Sequence, residues 1–202
     1  MSILLLLFLT NCGGNQESTQ HSQSNTVPQT TTNTATAANQ FLYISDQNNT
    51  QVAEIAIASD GNVVITTTNG KFFGEPKGEK LKFYNNSEQM VAEIKYSESG
   101  FKVRDANSAL KWKVKAYDEK IKIANNESMD NPLEIKLKNA QKITVAENGS
   151  EETIRIDPND ANVLIGKYYA RGFQNNYHHA ILADNRFTML DKCMILMEIN
   201  KR

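Results

Sequence analysis

Lys111-Trp112-Lys113-Val114-Lys115-Ala116 sets a lysine at every odd position and an apolar side chain at every even one. Successive side chains of an extended chain point to opposite faces, so this spacing predicts a β-strand with one wet face and one buried face. The same period of two runs through Phe101-Lys102-Val103-Arg104 upstream, and through Lys120-Ile121-Lys122-Ile123 and Glu134-Ile135-Lys136-Leu137-Lys138 downstream. Between such runs lie Asp60-Gly61, Asn69-Gly70, Ser99-Gly100, Asn125-Asn126 and Asn148-Gly149. These residue types accept positive φ at low cost and so turn one strand back on the next. Val52-Ala53-Glu54-Ile55 recurs as Val91-Ala92-Glu93-Ile94, and comparable units begin near Phe72, Lys111 and Leu133. A spacing of about twenty residues is two short strands and two turns, which predicts at least five successive hairpins. The domain is therefore expected to be mainly β: an antiparallel meander that curls into a closed or nearly closed barrel, because closure removes exposed edges.

The succession Met90-Val91-Ala92-Glu93-Ile94-Lys95, Phe101 to Asn107, Leu110 to Lys115 and Lys120 to Ile123 resembles the strand pattern of tubby-like and scramblase-like barrels, over roughly Gly70 to Ile156. The resemblance implies a closed antiparallel barrel threaded by an apolar helix near the C-terminus. That family includes phosphoinositide binders and membrane-associated proteins of unsettled activity, so the resemblance implies a surface rather than a reaction, and it assigns no functional residue.

After Asp157-Pro158 the period lengthens toward that of a helix, and a helical tail is expected from about residue 158. Thr188 and Asp191 have the spacing of a capping box before an apolar run, in which Leu190, Cys193, Met194 and Met197 share one helical face. Lys201 and Arg202 then stand where cations suit the helix dipole. Shorter helices are predicted over Tyr177–Ala183 and Ala161–Ala170. Gly166, Arg171, His178 and Asp184 depart from the nearly all-apolar threading segment of the family, so capping the barrel's open end is the alternative to threading it.

Ile3 to Leu9 is an unbroken apolar run too short to span a bilayer, and residues 1–11 read as a cleavable export signal. Leu9-Thr10-Asn11-Cys12, followed by Gly13-Gly14, resembles the lipobox of bacterial lipoproteins. The resemblance implies a diacylglycerol on the Cys12 thiol, cleavage just before it and acylation, for example by palmitate, of the new amino terminus. Asn11 stands where Gly, Ala or Ser is usual, and no Lys or Arg precedes it, as a start upstream of Met1 would explain. Residues 12–40 are Gln, Ser, Thr and Asn with small side chains, too polar to offset the entropy of ordering them, and are expected as a disordered tether that carries an idle His21. Residues 41–202 make a single domain of ordinary size.

The chain carries 22 Lys and Arg against 23 Asp and Glu, a balance that gives nucleic acid nothing to bind. It has no glycine-rich phosphate loop, no nucleophile-elbow serine and no Cys or His pair at metal-ligand spacing. His178-His179 are adjacent, so on a helix they cannot both face one metal, and they read as two ordinary, partly exposed histidines. Cys193, among Met189, Leu190, Met194 and Leu196, reads as a buried inert thiol. Trp112 and Tyr168-Tyr169 read as core and rim packing. No catalytic residue, cofactor or metal is expected. From Lys80 to Lys142, 13 basic residues face 9 acidic ones. Their strand positions read first as solubility and edge protection, and second as a weakly basic wall able to touch anionic headgroups. The expected function is a non-enzymatic interaction or binding module in the bacterial cell envelope, an exported lipoprotein held to the membrane by its lipid, with an envelope protein or lipid as partner. An apolar-ligand or lipid-binding barrel is the alternative, followed by an enzyme assembled from distant residues. A cavity inside the barrel would favour the former, a polar cleft the latter.

Overall fold

The structure, a computed structural model, describes residues 38–139, 142–155, 163–165, 168–172 and 177–201. The chain divides into two units, Met1–Thr34 and Ala35–Arg202, of which the second holds all of these. The export signal, Cys12 and His21 lie outside the described residues.

Among the described residues fourteen strands run in chain order: β1 Ala38–Asp46, β2 Gln51–Ala58, β3 Val63–Thr67, β4 Gly70–Lys77, β5 Lys80–Tyr84, β6 Met90–Ser97, β7 Gly100–Asp105, β8 Leu110–Tyr117, β9 Lys120–Ala124, β10 Leu133–Asn139, β11 Lys142–Glu147, β12 Ser150–Arg155, β13 Val163–Ile165 and β14 Tyr168–Arg171. A 3-10 helix, Tyr177–Ala183, and an α-helix, α1 Met189–Asn200, follow. From β1 to β12 each strand pairs antiparallel with the next, while β14 adds to the other side of β1 and β13 to β14. The domain is thus a mainly β meander in one sheet with a short helical C-terminus, as the alternation requires.

The burial follows the period of two. Ala53, Ile55 and Ile57 of β2, Leu81 and Phe83 of β5, Phe101 and Val103 of β7, and Ile121 and Ile123 of β9 turn to the core. The repeated Val-Ala-Glu-Ile quartets occupy the same phase, with Ala and Ile inward in β2 and in β6. Gly74 makes room for its cross-strand neighbour Phe83, since a Cβ there would lie 2.8 Å from the ring.

The capping box forms as read: Thr188 Oγ1 accepts from the Asp191 amide at 3.1 Å, and the Asp191 carboxylate accepts from the Thr188 amide at 3.3 Å. From Asp191 to Ile199 every residue of α1 is buried. A helix without a wet face is enclosed on all sides. Its partners come from strands far apart in the sheet order: β2 and β3 by packing, β6 through Tyr96 to Glu198, β8 through Lys111 to Asp191, and β14 through the Tyr168 ring beneath Lys192. α1 is thus buried against strands from widely separated places in the sheet.

Three expectations are corrected. The first strand starts at Ala38, three residues inside the expected tether, because these residues continue the β1–β2 pairing. The described part of the helix expected over Ala161–Ala170 is strand, β13 and the start of β14, since the open side of β1 offers backbone partners. Among the described residues the helical tail accordingly begins at Tyr177. Strand-to-strand closure is also missing: among the described residues no pairing joins β12 to β13. The 3-10 helix packs against β10 and β11 on one side and β13 and β14 on the other, and so occupies that gap.

Candidate functional site

Register brings lysines distant in sequence into line on the outer face. Lys77 of β4 pairs with Lys80 of β5, Lys80 with Lys95 of β6, Lys95 with Lys102 of β7, and Lys102 with Lys113 of β8. With neighbouring strands about 4.8 Å apart, the row runs roughly 20 Å across the sheet. The next outward row, two residues along, reads Glu75, Lys82, Glu93 and Arg104.

Like charges directly opposite each other destabilise a sheet, and carboxylates are interleaved to offset this. Glu93 is only 2 % exposed, and both its oxygens accept from Lys80 Nζ, at 3.0 and 2.9 Å. Glu75 pairs with Lys77 at 3.0 Å, which raises the Lys77 ammonium above its ordinary range. Glu127, in the loop after β9, lies 2.7 Å from Lys102, 3.5 Å from Arg104 and 3.6 Å from Lys113. The hydrogen bond from Lys102 leads in holding its carboxyl below the usual range. Seven cations thus face three carboxylates. Lys95, exposed at the middle of the row, makes no ion pair among the described residues.

Lys111 does not share this wall. Val103 pairs with Trp112 but Arg104 with Leu110, so Lys111 is the extra residue of a bulge. Its Nζ is re-aimed to Asp191 Oδ1 at 2.6 Å. Trp112 faces inward as read, its ring 4.2 Å from that of Phe187. Cys193 is fully buried, and burial pushes its thiol up to about 12, the inert state expected. Tyr168 faces the core, and Tyr169 the outside.

The histidines differ from expectation. Both sit in the 3-10 helix, and His179 is buried among the core residues rather than partly exposed. Loss of hydration pushes both down to about 4, with the neighbouring ring adding to the effect at His178. Neither ring nitrogen of His179 has a hydrogen-bond partner among the described residues. No group of three His, Cys, Asp or Glu there could hold a metal ion, and no helix among them is long and apolar enough to cross a membrane.

The lysines were legible individually as outward residues, but their alignment depends on register and no local signal carried it. Known protein families, curated proteins and solved structures provide no match to this chain.

Proposed function

We propose that this protein is a non-enzymatic binding module held at a bacterial membrane by lipid on Cys12, and that the lysine wall of β4–β8 meets anionic headgroups. The observation that carries this reading is the registered row Lys77, Lys80, Lys95, Lys102 and Lys113. A line of like charges costs stability. Solubility alone would be served as well by scattered charges, whereas a flat anionic surface favours a continuous line. Each lysine near such a surface contributes up to about 1 kcal/mol, a second signal beside the acyl chains, each of whose buried methylenes adds about 0.8 kcal/mol. The wall belongs to a nearly closed barrel whose seam is the 3-10 helix. Because α1 is buried against the strands, a headgroup-binding exterior has more support than an apolar ligand held inside.

The test has two arms. Cys12→Ala should abolish labelling by a clickable fatty acid and release the protein from membranes, and equal labelling of both forms would end the lipoprotein reading. The unit from Ala35 to Arg202, which holds its own core, should float with vesicles containing phosphatidylglycerol but not with pure phosphatidylcholine, and less so as salt rises. Lys95→Gln with Lys113→Gln should weaken that flotation several-fold. Unchanged flotation would remove the wall from the proposal.

A further inference from the structure

At one place on the wall three cations share a single counter-charge. Lys102 and Arg104 of β7 and Lys113 of β8 converge on the carboxylate of Glu127, in the loop between β9 and β10. Lys102 reaches it at 2.7 Å, but Arg104 and Lys113 stand at 3.5 and 3.6 Å, longer than the charge-assisted bond such groups make to a carboxylate. Each turns to a carbonyl instead: Arg104 Nη1 donates to that of Ser108 at 2.6 Å, and Lys113 Nζ to that of Glu127. The three cationic side chains are 28, 23 and 22 % exposed, whereas that of Glu127 is 54 % exposed. The carboxylate is therefore the outermost member of the cluster. Its loop is closed on itself, since Asn126 Oδ1 accepts from the Ser128 hydroxyl and the Asp130 amide, both at 2.9 Å, and Asn126 Nδ2 donates to the Asp130 carbonyl at 3.0 Å. Neighbouring carboxylates are already engaged: Asp130 accepts from the Ser128 hydroxyl, and Glu93, opposite Arg104 in register, holds Lys80.

We infer that Lys102, Arg104 and Lys113 form a subsite for a phosphomonoester headgroup, and that Glu127 is its intramolecular competitor, lying over the subsite until a headgroup displaces it. This rests on the reading of the wall as a headgroup surface, and adds which headgroup fits and what covers the site. A terminal phosphate offers three oxygens and nearly two negative charges at neutral pH, against two oxygens and one charge for a carboxylate. It can satisfy all three cations at short range, Arg104 by a two-pronged contact. A phosphodiester headgroup carries one charge and trades evenly with Glu127, so only the monoester gains by the exchange. The hydrogen bond from Lys102 leads in holding the Glu127 carboxyl below its usual range, so Glu127 is ionised at neutral pH and competes there.

The full chain is floated with vesicles of phosphatidylcholine alone, with added phosphatidylglycerol, a diester, and with added phosphatidic acid, a monoester, the last two matched in zeta potential. Phosphatidic acid should bind several-fold more tightly than phosphatidylglycerol. Glu127→Gln should raise binding to both by about fivefold, and by more than Glu75→Gln, which takes the same charge off the same wall, while the unfolding midpoint shows the fold intact. Lys102→Gln should abolish the preference for phosphatidic acid, whereas Lys95→Gln should weaken both lipids and keep it. Equal effects of Glu127→Gln and Glu75→Gln, or equal binding of the two anionic lipids, overturn the inference and leave the wall reading standing. Failure of the natural chain and of Glu127→Gln alike to float with either anionic vesicle overturns the wall reading as well. Saturable binding of glycerol 3-phosphate by a chain that ignores the vesicles overturns the lipid source in favour of a soluble phosphate.

Discussion

Glu88 is held in the left-handed backbone region at φ 59°, a conformation that costs most side chains about 1 kcal/mol. The loop around it explains why. Asn85 Oδ1 accepts from the amides of Ser87 and Gln89, the Asn85 carbonyl accepts from the Glu88 amide, and the chain reverses from β5 to β6 within five residues. Asp46 and Asp105 build the same loop, with Asn49 at φ 62° and Ser108 at φ 63° in the place of Glu88. Asn suits this position because its short side chain tolerates positive φ, and Asn49 shows that the loop accepts it. Glu88→Asn should therefore raise the unfolding free energy by about 0.5–1 kcal/mol in urea denaturation. A neutral or destabilising result would mean that Glu88 is not strained in solution. These loops begin with Asp or Asn five residues before the returning strand, a signal present in the sequence at positions 46, 85 and 105 but weaker than the Asn-Gly and Asp-Gly pairs.

Between elements, the bulge in β8 and the capping box of α1 act on one residue. Asp191 is only 1 % exposed, and it both accepts from Thr188 and takes the ammonium of Lys111 at 2.6 Å. Removing Lys111 leaves a buried carboxylate without its counter-charge, a change that costs about 3–5 kcal/mol in fully buried pairs. The Lys111 side chain is 34 % exposed, and solvent screening reduces the expected loss for Lys111→Met to about 2 kcal/mol. Lys113→Met, two residues along on the outer wall, should change stability by no more than about 0.5 kcal/mol. Equal effects of the two would show that the bulge does not re-aim Lys111 in solution. Simple alternation gave the strand and the inward Trp112 but placed Lys111 on the wall, because a bulge is set by the partner strand and leaves no local mark. The same limit applies to β14: Tyr168-Tyr169-Ala170-Arg171 is too short to declare a period, and what makes it a strand is the free side of β1. In α1 the Thr188 and Asp191 spacing was decisive, but that spacing carries no sign that Lys192 and Glu198 are drawn out of water. Each is instead satisfied inside, Lys192 donating to the Leu182 carbonyl at 2.9 Å and Glu198 accepting from Tyr96 and Lys201.

For the domain as a whole, the gap between β12 and β13 makes the 3-10 helix the element on which the two ends of the sheet depend, and that helix carries His178 and His179. In the unfolded chain a histidine titrates near its ordinary 6.5, whereas in the folded domain burial pushes both down to about 4. Their effect on stability is therefore constant above about pH 6.5. As the pH falls below that value the unfolded chain takes up protons that the folded domain refuses, and stability drops by up to about 1.4 kcal/mol per unit for each histidine until the folded rings also titrate. Glu127, whose carboxyl is depressed below 4.5, contributes stability that is lost only at lower pH, so the window between about 6.5 and 5 isolates the histidines. His179→Leu removes one titrating ring while leaving an apolar side chain of similar size in a buried position. Urea denaturation at pH 7.5 and pH 5 should show a clear loss for the natural chain and about half that loss for His179→Leu. Breakage at the seam should also free the Tyr177 hydroxyl, which donates to the Tyr117 carbonyl at 3.3 Å and is pushed up to about 12 mainly by burial. An identical pH dependence in the two proteins would place the acid-sensitive groups elsewhere, and the 3-10 helix would then be a passive filler of the gap rather than the element whose protonation opens it.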